Sequence, residues 1–352
     1  MKRIIAAIII LLAFLNIHGQ EQCAFILEEA QDMFDAGQIE TIPEKLAGCL
    51  ESGFSRDEKL QAYKLIIFSY LYDDNIVEAD AMMLKFLKDY PSYEVVATDP
   101  MNFVALKETY DTRPILMLGG GMGANMTLPL SLVNLGPSNY EKFPGNYVPG
   151  SASFNASVIA RKRINDHFLI SGEVSYFTVK FDYYLDTREN TDPFSAEITD
   201  FSLIEYYETQ NKLMLPIGAV YQFSNSDFSP YITAGICPGV LLKSVGEGFR
   251  DYVDLGITRV EVAPTTVTDA RRIFSMYGFL GGGIKYSLGP GEAFLDARFF
   301  ANPLTQVKPG SDRFIPELTY ELLYTDDELL LNSISISAGY MLPIYNPKKK
   351  VD

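Results

Sequence analysis

The spacing of the connections constrains this chain more than any motif does. After Arg113 the sequence alternates apolar and polar residues with period two across eight segments: 114–128, 151–163, 167–182, 206–223, 228–243, 272–288, 292–303 and 332–345. Most exceed the usual five or six residues of a soluble strand and reach the ~10 residues that cross a bilayer at barrel tilt. The second and third segments join through NDH, the fourth and fifth through SNSD, the sixth and seventh through GPG. The other four connections run to about twenty residues or more. Short turns on one rim and long loops on the other predict an eight-stranded antiparallel transmembrane β-barrel. A soluble β-sandwich is the structural alternative, and it leaves the alternating loop lengths without a reason.

The fourth segment, KLMLPIGAVYQF, sets Leu213, Leu215, Ile217, Ala219, Tyr221 and Phe223 on one face, and Lys212, Met214, Gly218 and Gln222 on the other. The eighth, NSISISAGYMLPIY, opposes Ile334, Ile336, Ala338, Tyr340, Leu342 and Ile344 to Ser333, Ser335, Ser337 and Gly339. Such strands carry one face suited to lipid and a small, polar face suited to a narrow lumen.

A nucleotide-like motif has to be set against that pattern. LMLGGGMGANMT, residues 116–127, satisfies the G-x-G-x-x-[GA] spacing through Gly119, Gly121 and Ala124. A dinucleotide turn needs a helix directly afterwards, and here Asn125, Thr127 and Pro129 follow. A second run, FLGGGIKY at 279–286, also has no helix after it. Both read as barrel strands whose inward glycines let a narrow cylinder close.

The chain opens MKRIIAAIIILLAFLNIHGQ, a basic start and an apolar stretch too short to span comfortably, so residues 1–19 read as a signal peptide. Export follows, and with it a compartment that permits disulfides. Residues 20–112 read as a periplasmic domain of helical hairpins, 113–346 as the barrel and 347–352 as a basic periplasmic tail. In the helical part CAFILEEAQDMFDAG stops at Gly37, EKLAGCLES follows, Ser55 and Glu58 form a capping box, NIVEADAMMLKFLKDYPS ends before Pro91, and DPMNFVALKETY starts at Asp99. An antiparallel hairpin brings the start of the first helix to the end of the second, which predicts a Cys23–Cys49 disulfide; two buried thiols are the alternative. Cys237 is then left as a buried or lipid-shielded thiol.

The second hairpin resembles a tetratricopeptide repeat at Tyr63, Ile66, Tyr70, Ala79 and Pro91, with Ile67 where a small residue is usual. The first fits at Ala30, Gly37 and Leu46 and departs at Glu29 and Phe54. Two repeats cover their own faces poorly, so Tyr63, Tyr70, Met82 and Phe86 are the candidates for docking a partner.

The barrel half resembles the Bacteroidota outer-membrane β-barrel families described as PorT-like. LMLPIGAVYQF, SPYITAGICPGVLL, GFLGGGIKYSL, LDARFFANPL and SISAGYMLPIY carry the resemblance, which covers about residues 114–346. It implies a role in envelope assembly or secretion and brings no catalytic residues with it.

Net charge of −16 and a pI of about 4.6 argue against nucleic acid as a partner. Eight strands leave an interior that side chains fill, and Glu173, Lys212, Lys285, Asp296 and Arg298 are expected there as an ion-pair network. Loops 186–205 and 308–328 gather Asp186, Glu189, Asp192, Glu197, Asp200, Asp312, Glu317, Asp326, Asp327 and Glu328, expected as solvated surface charge. Arg161, Lys162, Arg163 and Lys348 to Lys350 are expected at the opposite rim, against anionic headgroups. The chain has two histidines, His18 in the leader and His167 in a short turn, so histidine chemistry is disfavoured. The expectation is a protein without catalytic activity, cofactor or metal, anchored in outer-membrane lipid and docking an envelope protein through its helices. The alternative is a surface receptor whose long loops, such as SNYEKFPGNYVPG and DYVDLGITRVEVAPTTV, take a small ligand.

Overall fold

The computed structural model describes residues 22–135, 145–186, 202–224, 226–252, 259–310 and 313–350. The proposed signal peptide lies outside them, as do Glu189, Asp192, Glu197, Asp200 and Asp312. The chain divides into two compact units, one running to Pro114 and including the segment from Tyr345, the other spanning Ile115–Ile344.

The first unit holds α1 (22–35), α2 (Ile42–Glu51), α3 (Arg56–Tyr72), α4 (Ile76–Asp89) and α5 (Met101–Glu108), followed by β1 (Tyr110–Asp111). Its boundaries follow from local chemistry. Gly37, at φ +79°, ends α1 in the left-handed region, and the Gln38 N–H donates back to the Met33 carbonyl at 2.8 Å. At α3 the Ser55 N–H donates to Glu58 at 2.8 Å while the Ser55 hydroxyl accepts from the Glu58 N–H at 3.4 Å. Cys23 and Cys49 are bridged, with their Cα atoms 5.6 Å apart. Two cores result: Leu27, Ala30, Ile42, Leu46, Leu65 and Ile66 pack in one, and Tyr63, Ile67, Met83, Phe86, Leu87 and Phe103 in the other. Asp99 does not open α5; Pro100 is the N-cap. Instead Asp99 is buried against Lys64 at 2.5 Å and accepts from the Tyr93 hydroxyl at 2.7 Å and the Val96 N–H at 3.0 Å.

The second unit is a ring of β2 (Pro114–Val133), β4 (Ser153–Arg163), β5 (Phe168–Asp186), β6 (Ser202–Met214) with β7 (Ile217–Gln222), β8 (Phe228–Tyr252), β10 (Phe274–Leu288), β11 (Gly291–Ala301) and β12 (Glu328–Tyr345). Each pairs with its neighbour in sequence, and β12 pairs with β2 to close the cylinder. Eight staves result, one of them broken: Leu215 and Pro216 interrupt the fourth, because proline has no N–H for the ladder. Gly289, at φ +62°, turns the chain between β10 and β11.

Several strands outrun their expected ends. Above the ring, β3 (Asn146–Pro149), β5, β6, β8 and β9 (Val260–Thr266) pair in that order as an open sheet. Pro149 ends one of its edge strands and Pro264 lies within the other, which blunts both against pairing with another chain. On β8 the residue Leu242 is an extra one relative to β6, so the ladder slips between Asn211 and Lys212. The connection from β11 to β12 folds back over this sheet and carries α6 (Pro316–Leu322), whose Leu318 and Leu322 are fully buried with Phe181, Tyr183, Tyr206 and Tyr324.

Along β5 the two faces exchange character. Phe168, Ile170, Val174 and Tyr176 point outward and are exposed, while Ser171, Glu173 and Ser175 are buried inside. From Phe177 onward the inward residues are Phe177, Val179, Phe181, Tyr183 and Leu185, and the outward ones Thr178, Lys180, Asp182 and Tyr184. The eighth stave repeats this. Ile334 and Ile336 are exposed outside Ser333 and Ser335, whereas nearer its start Leu329 and Leu331 are buried. An apolar belt therefore girds the ring and stops where the open sheet begins.

Candidate functional site

Charged side chains gather inside the barrel at two levels. The lower level is built on β11, where Asp296 and Arg298 are two residues apart and so point inward together. The facing β10 supplies room for them. Gly281 pairs with Arg298 and Gly283 with Asp296. A Cβ at Gly283 would sit 2.7 Å from that of Asp296, and one at Gly281 would sit 2.7 Å from Arg298 Cγ. The glycine run is therefore the space in which the ion pair lies. Arg298 reaches Glu173 Oε1 at 2.8 Å and Asp296 Oδ2 at 2.8 Å. Tyr231 donates to Asp296 at 3.1 Å, and Arg161 stands 3.9 Å from the same carboxylate.

Three of the five expected lumen residues thus meet: Glu173, Asp296 and Arg298. Lys212 and Lys285 are buried elsewhere, Lys212 donating to the Tyr277 hydroxyl at 3.0 Å and Lys285 pairing with Glu292 at 2.8 Å. Arg161 corrects the rim assignment. It is 2% exposed and points inward, its guanidinium 5.1 Å from the Tyr231 ring centre and 5.2 Å from that of Phe294. Its neighbour Lys162 faces out, so the alternation itself decided the matter. Glu173, Asp296, Arg298 and several serines surround a cavity of about 10 Å³, roughly enough for one water.

The upper level escaped sequence reasoning. Arg271, at the foot of β10, is 1% exposed and binds Glu208 through two guanidinium nitrogens, at 2.7 and 2.6 Å, and Asp326 through a third at 2.5 Å. Ser244 and Gln210 donate to Glu208 at 2.7 Å each, and Tyr206 donates to it at 2.7 Å. Tyr324 donates to the other oxygen of Asp326 at 3.2 Å. Asp326 and Asp327 were expected as solvated loop charge, but both are fully buried. Asp327 accepts from the Leu135 N–H at 2.5 Å. The β11–β12 connection is consequently clamped into the mouth of the barrel by a fork-to-carboxylate pair.

The helical unit presents a groove of about 470 Å³ between α2, α3 and α4, lined by Leu50, Lys59, Tyr63, Ile66, Tyr70, Met82 and Lys85. Of the four docking candidates, Tyr70 and Met82 line it half-buried. Tyr63 touches its floor but is only 5% exposed, and Phe86 is wholly interior. Phe86 and Tyr63 are core residues, taken up by a second layer of aromatics that includes Phe103 and Tyr90. The basic tail lies on the helical unit: β13 (Lys348–Lys349) pairs with β1, and Lys349 binds Asp80 at 2.8 Å.

His167 lies in the β4–β5 turn, stacked on Tyr221, with Nδ1 2.9 Å from the Gln222 carbonyl oxygen. Among the described residues no group of His, Cys, Asp and Glu has the arrangement of a metal site, and no helix is long and apolar enough to cross a membrane.

No family model and no curated protein matches the sequence. Solved structures do. Ail, the attachment invasion locus protein of Yersinia pestis, crystallised with the heparin analogue sucrose octasulfate, is 10% identical with a TM-score of 0.27, over 64% of this chain and 99% of that one. The outer membrane protein OprG of Pseudomonas aeruginosa is 10% identical with a TM-score of 0.32, over 68% and 97%. The outer membrane protease OmpT of Escherichia coli is 7% identical with a TM-score of 0.33, over 65% and 96%. At such scores the barrel assignment rests on the closed ring of strands itself. One expectation is corrected: with a protease among the barrels this chain is similar to, the absence of catalytic activity does not stand.

Proposed function

We propose that the barrel sits in the outer membrane and holds the helical unit in the periplasm as a docking module for another envelope protein, within an assembly or secretion complex of the PorT-like kind. The observation that carries this reading is the outward apolar belt, which ends on β5 between Tyr176 and Thr178 and encloses a lumen filled by ion pairs. Such a surface is stable only against lipid, and a filled interior suits an anchor better than a conduit. The module reading adds the groove of Tyr70 and Met82 on a tetratricopeptide-like pair of hairpins, and the Cys23–Cys49 bridge suits an oxidising compartment.

The test is in-membrane crosslinking followed by affinity purification. Intact protein is compared with a Tyr70→Glu/Met82→Glu variant and with a chain lacking residues 23–110. A partner captured by the intact chain and lost from both altered forms supports docking. Identical capture by all three sinks it.

A second reading has its own observation. The outer face of the upper sheet carries an open groove of about 550 Å³ lined by Tyr207, Glu247, Phe249 and Glu261, which suits a small-ligand receptor. Tyr207→Ala/Phe249→Ala abolishes function under that reading and leaves it intact under the first.

A further inference from the structure

The last residues of the chain are part of the first unit. Tyr110 pairs with Lys349 and Asp111 with Lys348 in a short antiparallel ladder. The Lys350 N–H donates to the Thr109 carbonyl at 2.7 Å. The Lys350 ammonium donates to the Glu108 carbonyl at 2.8 Å, at the last residue of α5, where exposed carbonyls favour a cation. Lys349 reaches across to Asp80 of α4 at 2.8 Å, and the Tyr110 hydroxyl donates to the same carboxylate oxygen at 2.9 Å. Tyr110 in turn belongs to the buried core with Met83, Phe86 and Phe103. Asp80, Tyr110 and Lys349 thus form a buckle joining α4, β1 and the chain end.

The two segments of the buckle share one origin. β1 stands two residues before β2, and β13 two residues after β12. β2 and β12 are the first and last staves, whose pairing closes the cylinder. Thr112 and Arg113 separate one pair of segments, Asn346 and Pro347 the other. Two intervening residues let each linker reach about 11 Å, three Cα–Cα steps, so β12 seated beside β2 holds the tail within reach of β1 in register. Before closure the tail is held to β1 by nothing shorter than the whole barrel sequence, and the loop-closure entropy opposes the contact.

We infer that the tail is a latch by which closure of the barrel seam completes the helical unit: α4, α5 and β1 reach their full protection only in chains whose last strand is seated. This goes beyond the docking reading and holds whether or not a partner exists.

Hydrogen exchange read by mass spectrometry on the full-length protein in detergent micelles tests it, with peptides from 76–111 as the reporter and peptides from β4 and β5 as the barrel control. Lys349→Asp raises exchange in the reporter at least tenfold and leaves the control unchanged. Asp80→Lys combined with Lys349→Asp restores protection to within threefold. The seam supplies the second arm. A side chain at Gly339 would overlap the Gly120 carbonyl oxygen and the Phe294 ring, whereas one at Gly172 meets nothing within 4 Å. Gly339→Val therefore opens the seam and loosens the reporter as much as removal of residues 346–352 does, while Gly172→Ala loosens neither. Reporter protection that survives both Lys349→Asp and an opened seam overturns the inference. If truncation proves too disruptive to assemble, the charge swap alone decides: rescue supports the latch, and its failure refutes it.

Discussion

Two buried arginines divide the barrel between them. Arg298 lies inside the apolar belt, where the outer face is apolar and the inner face is charged and small. Arg271 lies above it, where the outer face carries Lys180, Asp182 and Glu205 and the inner face is a hydrophobic core closed by α6. The same strands serve both regions. On the proposed membrane placement the solvent is what changes: in lipid the outward residues are apolar and polarity retreats to the interior, while above the lipid the ordinary rule returns. Buried charge occurs in both regions, set in a small polar lumen within the belt and against a hydrophobic core above it.

Removing Arg271 has the largest effect. Arg271→Leu strands Glu208 and Asp326 in a dry site, and unpairing a buried ion of this kind costs about 3–5 kcal/mol. The β11–β12 connection is expected to become cleavable by protease at 313–327 while the ring still migrates as a folded barrel on cold gel electrophoresis. Cleavage no faster than wild type would show that apolar packing alone holds the mouth shut. Leu318→Ala then measures that packing, with an expected loss of about 2–5 kcal/mol read as a lowered midpoint for the same protease transition.

The belt is probed from outside. Val174→Arg puts a cation on the lipid face and is expected to lower barrel stability by about 2–4 kcal/mol in a urea titration of vesicle-bound protein. Asp182→Arg, eight residues along the same strand and on the same side, is expected to change it by less than about 0.5 kcal/mol. Equal effects at the two positions would erase the boundary drawn between Tyr176 and Thr178.

The smallest expected effect concerns acid. Burial pushes the Asp99 carboxyl up, but the Lys64 ammonium, the Val96 N–H and the Tyr93 hydroxyl outweigh it and hold the group below its ordinary range. The folded helical unit therefore binds this proton more weakly than the unfolded chain does. Its contribution is complete above the ordinary aspartate value of about 4 and is lost as pH falls through the lower folded value. Far-ultraviolet circular dichroism of Asp99→Asn should show a flatter acid limb than wild type between pH about 5 and 2; parallel curves would exclude Asp99 as its source.

Much of this was legible because period two is a strong signal. All eight staves were foreseen, as were the capping box at Ser55 and the disulfide. The alternation also contained the answer for Arg161, since Lys162 and Val158 face the other way, but a run of three basic residues looked like one patch. What stayed hidden depends on long-range return of the chain. Arg271 and Asp326 are 55 residues apart and lie outside any periodic segment, so nothing local announces that they meet. Asp326 and Asp327 read as loop charge for the same reason. Tyr63 and Phe86 were misjudged because two repeats alone would leave them open; the aromatic layer around Phe103 covers them. The extension of β5, β6 and β8 beyond the belt was missed because their outward faces turn polar there, and polarity beyond a membrane strand was read as loop.

Cys237 gives the barrel an internal clock. With Cys23 and Cys49 joined to each other, it is the one free thiol of the three cysteines, fully buried against Met214, Phe300 and Tyr277. A thiol reagent can reach it only when the staves part. Its rate of modification in membranes therefore counts openings of the cylinder directly, without a label, in the unaltered protein.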